Sequence, residues 1–115
     1  MEDEEKIIMQ LIIHGGDARA FSMKAIQAAE KGEFTEADQL MGEARISLNK
    51  AHDLQTTIIQ EEIRGKPTST TLLMVHAQDH VMNAMTVRDL AEHLIQLREE
   101  VHLFRKHKMS QEGIA

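Results

Sequence analysis

A chain of 115 residues with a single proline, Pro67, has very few places where a helix is forced to stop. Glycine is the other breaker, and its six copies fall at positions 15, 16, 32, 42, 65 and 113. Gly32 closes one Ala-rich, charged stretch, and Gly65-Lys66-Pro67 closes a second. The segments between them, rich in Ala, Leu, Glu, Gln, Lys and Met, read as helices over 4–31, 35–64 and 69–107. Thr35 with Asp38 three residues on reads as a variant capping box opening the second helix. Thr68 or Ser69, just past Pro67, reads as the cap of the third. Residues 108–115 carry no periodic pattern and are expected to fray.

The apolar spacing predicts how these helices meet. In the second, Ala37, Met41, Ala44, Leu48, Ala51, Gln55 and Ile58 recur at alternating steps of four and three, a heptad seam of mostly small residues that lets helices approach closely. Ile8, Leu11, Ala18, Ala25 and Ala29 line the first, which Gly15-Gly16 is expected to weaken or bend. Short connections favour antiparallel neighbours, so the expected fold is all-α: an up-down-up three-helix bundle in one domain, 1–115.

Composition narrows the function classes. There is no Cys, hence no disulfide and no thiolate metal site. No segment reads as a secretory signal, and no apolar run approaches the roughly 20 residues a bilayer needs, so the expectation is a cytoplasmic chain without direct membrane insertion. A net charge of −6, with neither Trp nor Tyr, argues against a nucleic-acid partner.

The third helix departs from an ordinary bundle pattern. Leu72, His76, Asp79, Asn83, Val87, Leu90, Leu94, Leu97 and Val101 form one row at steps of three and four, apolar below and polar above. Met74, Val75, Val81, Met82 and Met85 supply a second apolar surface. A helix apolar on two faces must bury both, which predicts a symmetric oligomer without giving its subunit number.

The residues able to carry chemistry cluster in Val75-His76-Ala77-Gln78-Asp79-His80. On a helix, His76, Asp79 and His80 share one face. Spacing leaves three readings open: a nucleophilic imidazole that accepts a phosphoryl group, a metal site, or packed histidines of a structural coiled-coil module. A zincin would need Glu directly after the first His, and Ala77 stands there.

The run LLMVHAQDHVMNAMTVRDL, Leu72 to Leu90, resembles the motif of the lactose/cellobiose-class enzyme IIA component of the bacterial phosphoenolpyruvate-dependent sugar phosphotransferase system. Ile13-His14-Gly15-Gly16-Asp17-Ala18-Arg19 is similar to that family's first-helix motif. Lys31-Gly32-Glu33-Phe34 and Ala51-His52-Asp53-Leu54-Gln55-Thr56 are similar to its second-helix entry and middle. The resemblance covers nearly the whole chain. Val81 departs from the family's more usual Leu, and Lys66-Pro67-Thr68 occupies a variable loop.

The resemblance implies a phosphocarrier. His76 stands at the family's phosphorylated histidine, modified at Nε2. Asp79 stands at the carboxylate that meets its symmetry mates around a divalent cation, Mg²⁺ by its oxygen ligands, one per homotrimer. Gln78 and His80 stand beside the active histidine as supporting residues. The implied donor is a histidine phosphocarrier protein, and the implied acceptor is the cysteine of the cognate IIB component, during uptake of a β-linked disaccharide. The Met-rich surface is expected to form an apolar cleft around His76, with Met74 and Met85 at the partner interface. His14, His52, His93, His102 and His107 receive no chemical role. The resemblance leans toward cellobiose- and lichenan-type members over lactose or chitobiose ones. The sugar itself is not legible, because IIA does not meet it.

Overall fold

The computed structural model describes residues 2–113 as three helices: α1 (Glu2–Glu30), α2 (Phe34–Ile63) and α3 (Leu72–Gln111). They form an up-down-up rod with extents of 68 × 22 × 20 Å. α1 is the middle helix, packed along both others, whereas α2 and α3 touch each other far less. Among the described residues no helix is long and apolar enough to cross a membrane.

The two interhelical corners follow from glycine. At the end of α1, Glu33 N–H donates to Ala28 O (2.9 Å) and Gly32 N–H to Ala29 O (3.0 Å), with Gly32 at φ +77°. At the end of α2, Lys66 N–H donates to Glu61 O and Gly65 N–H to Glu62 O, with Gly65 at φ +83°. Both are Schellman turns, whose left-handed residue is cheap only for glycine. Arg98 reaches from α3 to donate to Glu30 O (3.0 Å), tying α1's last turn to the third helix.

The caps differ from the sequence expectation. α2 opens at Phe34 with Glu33 as its cap residue and no side-chain cap bond, so Thr35 and Asp38 lie inside the first turns and form no capping box. α3 is capped by Thr71, not Thr68 or Ser69: its hydroxyl accepts from Met74 N–H at 3.1 Å. Thr71 is the last of four consecutive hydroxyl residues, directly ahead of the segment that supplies the first core side chain, Met74. The helix also runs on to Gln111, because Lys106 to Gln111 are helix-compatible residues with no breaker before Gly113. Residues 114 and 115 of the expected frayed tail lie outside the described residues.

The core is built largely from alanine, which explains the close approach of the helices. The predicted row of α1 (Ile8, Leu11, Ala18, Ala25, Ala29) is buried, and that of α2 is buried at Ala37, Ala44, Leu48 and Ala51 and half-buried at Met41, Gln55 and Ile58. On α3 the expectation is corrected. The core-facing row is Met74, Ala77, Val81, Ala84, Ala91 and Ile95. The row from Leu72 through Leu90, Leu94 and Leu97 lies outside, with Leu72 86% and Leu90 57% exposed. Small alanines set the bundle seam, so the larger leucines drew the reading to the other face. α3 does carry two apolar faces, and the chain buries one of them. Gly15-Gly16 does not interrupt α1.

Candidate functional site

The VHAQDH segment occupies the first two turns of α3, where Thr71 fixes the start and Met74, Ala77 and Val81 anchor the inner face. These three join Ile8, Leu11 and Ala51 in one buried cluster, with Ile7, Ile12, Leu54, Ile58 and Met85 packed around it. That anchoring presents the other side of α3 outward. Gly15 completes the support from α1. A Cβ there would stand 3.4 Å from the backbone of His80 and Val81, so α1 passes close under the site with little room for a larger side chain.

His76 is exposed and His80 half-buried, and their rings meet edge to face with centroids 4.7 Å apart, planes at 89°. One turn of helix brings them together, as i and i+4. The contact packs one side of the His76 ring against His80 and leaves the rest of it accessible. Asp79 is also exposed; Asn83 Nδ2 donates to its Oδ2 at 3.2 Å. Among the described residues no three His, Asp or Glu side chains converge as a metal's ligand set requires. A single chain therefore offers one carboxylate, Asp79, on an uncovered row, and a zinc-like site from His76, Asp79 and His80 is not assembled.

Gln78 is turned elsewhere. Residues two apart on a helix project about 200° apart, which carries Gln78 away from His76 and toward α2. There Gln55 Nε2 donates to Gln78 Oε1 at 2.7 Å and lies 3.8 Å from Met82 Sδ, while Gln78 Nε2 lies 3.6 Å from Met74 Sδ. Gln55 was missed as a site neighbour by the sequence reading. Its signal was its place in α2's otherwise apolar seam, where a polar residue needs a partner.

The methionines Met74 and Met85, expected to line an apolar cleft around His76, do not form its surface. Met74 is a core residue and Met85 half-buried in the bundle, and the exposed large apolar residues of this stretch of α3 are Leu72, Leu73, Val75 and Met82. The expectation failed because Met74 sits at α3's inner register.

Compared with known proteins, residues 6–99 match the profile of the family described as PTS system, lactose/cellobiose specific IIA subunit. The chain belongs to this family. It is 51% identical over 100 residues to the lichenan-specific phosphotransferase enzyme IIA component of Bacillus subtilis (strain 168), covering 87% of this chain and 91% of the relative. The cellobiose-specific enzyme IIA of Bacillus anthracis superposes with a TM-score of 0.84 at 45% identity, covering 86% of this chain and 91% of that one. A IIA from the N,N'-diacetylchitobiose branch of the Escherichia coli phosphotransferase system, solved in complex with HPr, superposes with a TM-score of 0.74 at 37% identity, over 85% of this chain and 95% of that one. The family fixes the class of this chain: a IIA component of a sugar phosphotransferase system, whose fold is the helical bundle described above.

Proposed function

We propose that this chain is a cytoplasmic phosphocarrier that takes a phosphoryl group onto His76 and hands it to a cysteine of the cognate IIB component. The observation that carries this is the exposed imidazole of His76, held by His80 on a rigid helix, in a member of the IIA family. The relative in complex with HPr supports a histidine phosphocarrier as donor. The names of the relatives support uptake of a β-linked disaccharide, with cellobiose- and lichenan-type sugars favoured.

The steps balance simply. On acceptance the donor's phosphohistidine P–N bond breaks and a P–N bond forms at His76 Nε2. On donation that bond breaks and a P–S bond forms at the acceptor thiolate, restoring the neutral imidazole. Such transfers pass through a loose transition state, so the chain's work is positioning. Thr71 and the Met74–Ala77–Val81 anchor hold the helix, Gly15 lets α1 buttress it, and His80 holds the ring. Donor and acceptor use the same exposed face in turn, which favours weak, transient interfaces around Val75 and Met82.

The uncovered row of α3 supports assembly as a homotrimer, with Leu90, Leu94 and Leu97 forming the seam and the Asp79 copies meeting on the axis. Three like carboxylates there require a cation or protons to be tolerated. The donor set is oxygen only, so it fits a hard divalent cation such as Mg²⁺, one per trimer, held by the three Asp79 carboxylates. Bound there, it would neutralise charge in the seam; it takes no part in the transfer.

Incubation with phosphoenolpyruvate, enzyme I and a histidine phosphocarrier protein tests the central claim. One added phosphate by mass, lost in acid and kept in base, is expected. Absence of that phosphate would overturn it.

A further inference from the structure

The uncovered face of α3 holds one polar pair that phosphoryl transfer does not use. Asn83 Nδ2 donates to Asp79 Oδ2 at 3.2 Å, one turn along the same row. Both side chains are exposed in the single chain, so neither serves the bundle core. Among the described residues Asp79 forms no ion pair, and its Oδ1 makes no hydrogen bond. One carboxylate oxygen is thus held from within the helix and the other is left over.

We infer that Asn83 is a positioning residue for a cation held by the Asp79 carboxylates. The inference rests on the axial site proposed above. Asn83 engages Oδ2 of its own chain and leaves Oδ1 to ligate a hard divalent cation, which takes oxygen ligands. An amide suits this place because it brings donor hydrogens next to three like charges without adding a charge of its own. Groups that hydrogen-bond a ligating carboxylate fix its orientation, and losing one weakens metal binding by about tenfold to a hundredfold. The competing assignment is a solvated i, i+4 pair on a helix surface, whose loss would leave metal binding unchanged.

Mn²⁺ is the probe, since it accepts the same oxygen ligands and its free form gives a distinct electron paramagnetic resonance signal. Full-length assembled wild type, Asn83→Leu, Asn83→Gln and Asp79→Leu are titrated, and each is sized by sedimentation. Wild type is expected to bind about one Mn²⁺ per three chains and Asp79→Leu none. Asn83→Leu should keep the same mass and bind about tenfold to a hundredfold more weakly. Asn83→Gln, which retains the N–H₂, should recover part of the affinity. Undiminished Mn²⁺ affinity in Asn83→Leu, with Asp79→Leu still unable to bind, overturns the role of Asn83 alone. Dissociation of Asn83→Leu into single chains also overturns it, making Asn83 an assembly residue. Equal binding by Asp79→Leu, or none by wild type, overturns the axial site beneath it.

Discussion

Of the seven histidines, His76 and His80 pack ring against ring, and His76 is the exposed member of the pair, on a helix face that the bundle does not need. An exposed ring with one packed side can meet a partner and still keep its orientation. His76→Gln should therefore leave the bundle and its melting temperature nearly unchanged, because the side chain is outside the core. The same variant should accept no phosphate; full labelling of it, or labelling of His80 in its place, would refute the assignment. The candidate residue was legible in VHAQDH through the resemblance of that motif to the family's, since spacing alone left a nucleophile, a metal site and packed histidines open. The setting of that residue was not. Exposure depends on which row of α3 faces inward, and small alanines at 77, 84 and 91 gave a weaker signal than the leucines at 90, 94 and 97. The Gln55–Gln78 bond was likewise out of reach, since it joins residues on different helices.

At the level of the helices, two adjacent glycines on α1 do different work. Gly15 is buried against the backbone of α3, whereas a Cβ on Gly16 meets nothing within 4 Å. Gly16→Ala should therefore stabilise the chain by about 0.5–1 kcal/mol through helix propensity alone, read as a raised melting temperature. Gly15→Val should lower it, since the added methyls have only backbone to push against at the level of His80. The glycine pair in α1's row suggested a weakened helix or a bend; α1 runs through it as one continuous helix packed on both neighbours. The start of α2 carries a pH dependence. A hydrogen bond that the protonated Glu36 carboxyl donates to the neighbouring Glu33 carboxylate, together with the charge of that carboxylate, holds Glu36 above its ordinary value. A raised carboxyl pKa contributes stability that is present below the ordinary carboxylate range and lost as pH rises through the raised value. Relative to Glu33→Gln, the wild type should thus lose stability as pH climbs through that window, and the difference should shrink in high salt because both groups are at the surface. Melting both proteins at acidic and neutral pH checks the sign; a difference that is flat with pH would contradict it.

For the whole molecule, the deciding feature is that α3 has two faces and α1 with α2 cover only one. Leu90, Leu94 and Leu97 are 57%, 44% and 54% exposed, spaced as a heptad seam, and far larger than the alanines that fill the bundle core. Leaving such a row in water is unfavourable, and about 25 cal/mol for each Å² of apolar surface covered favours joining it to copies of itself. Because the two faces are separate, assembly and folding can be broken independently. Leu94→Asp places a charge in the outer seam without touching Ala91 or Ile95, the inner residues beside it. The variant should keep its helical circular dichroism and a cooperative melt, yet sediment as a single chain, whereas the proposed trimer predicts three chains for the wild type. Val81→Asp, at a fully buried inner position, should instead lose helical signal and cooperativity together, because an unpaired charge is forced into the core. The wild-type melting temperature should rise with protein concentration, and that of Leu94→Asp should not, since only an associating chain is stabilised by mass action. If Leu94→Asp still sediments as three chains, the outer row is not the seam, and the axial placement of Asp79 falls with it.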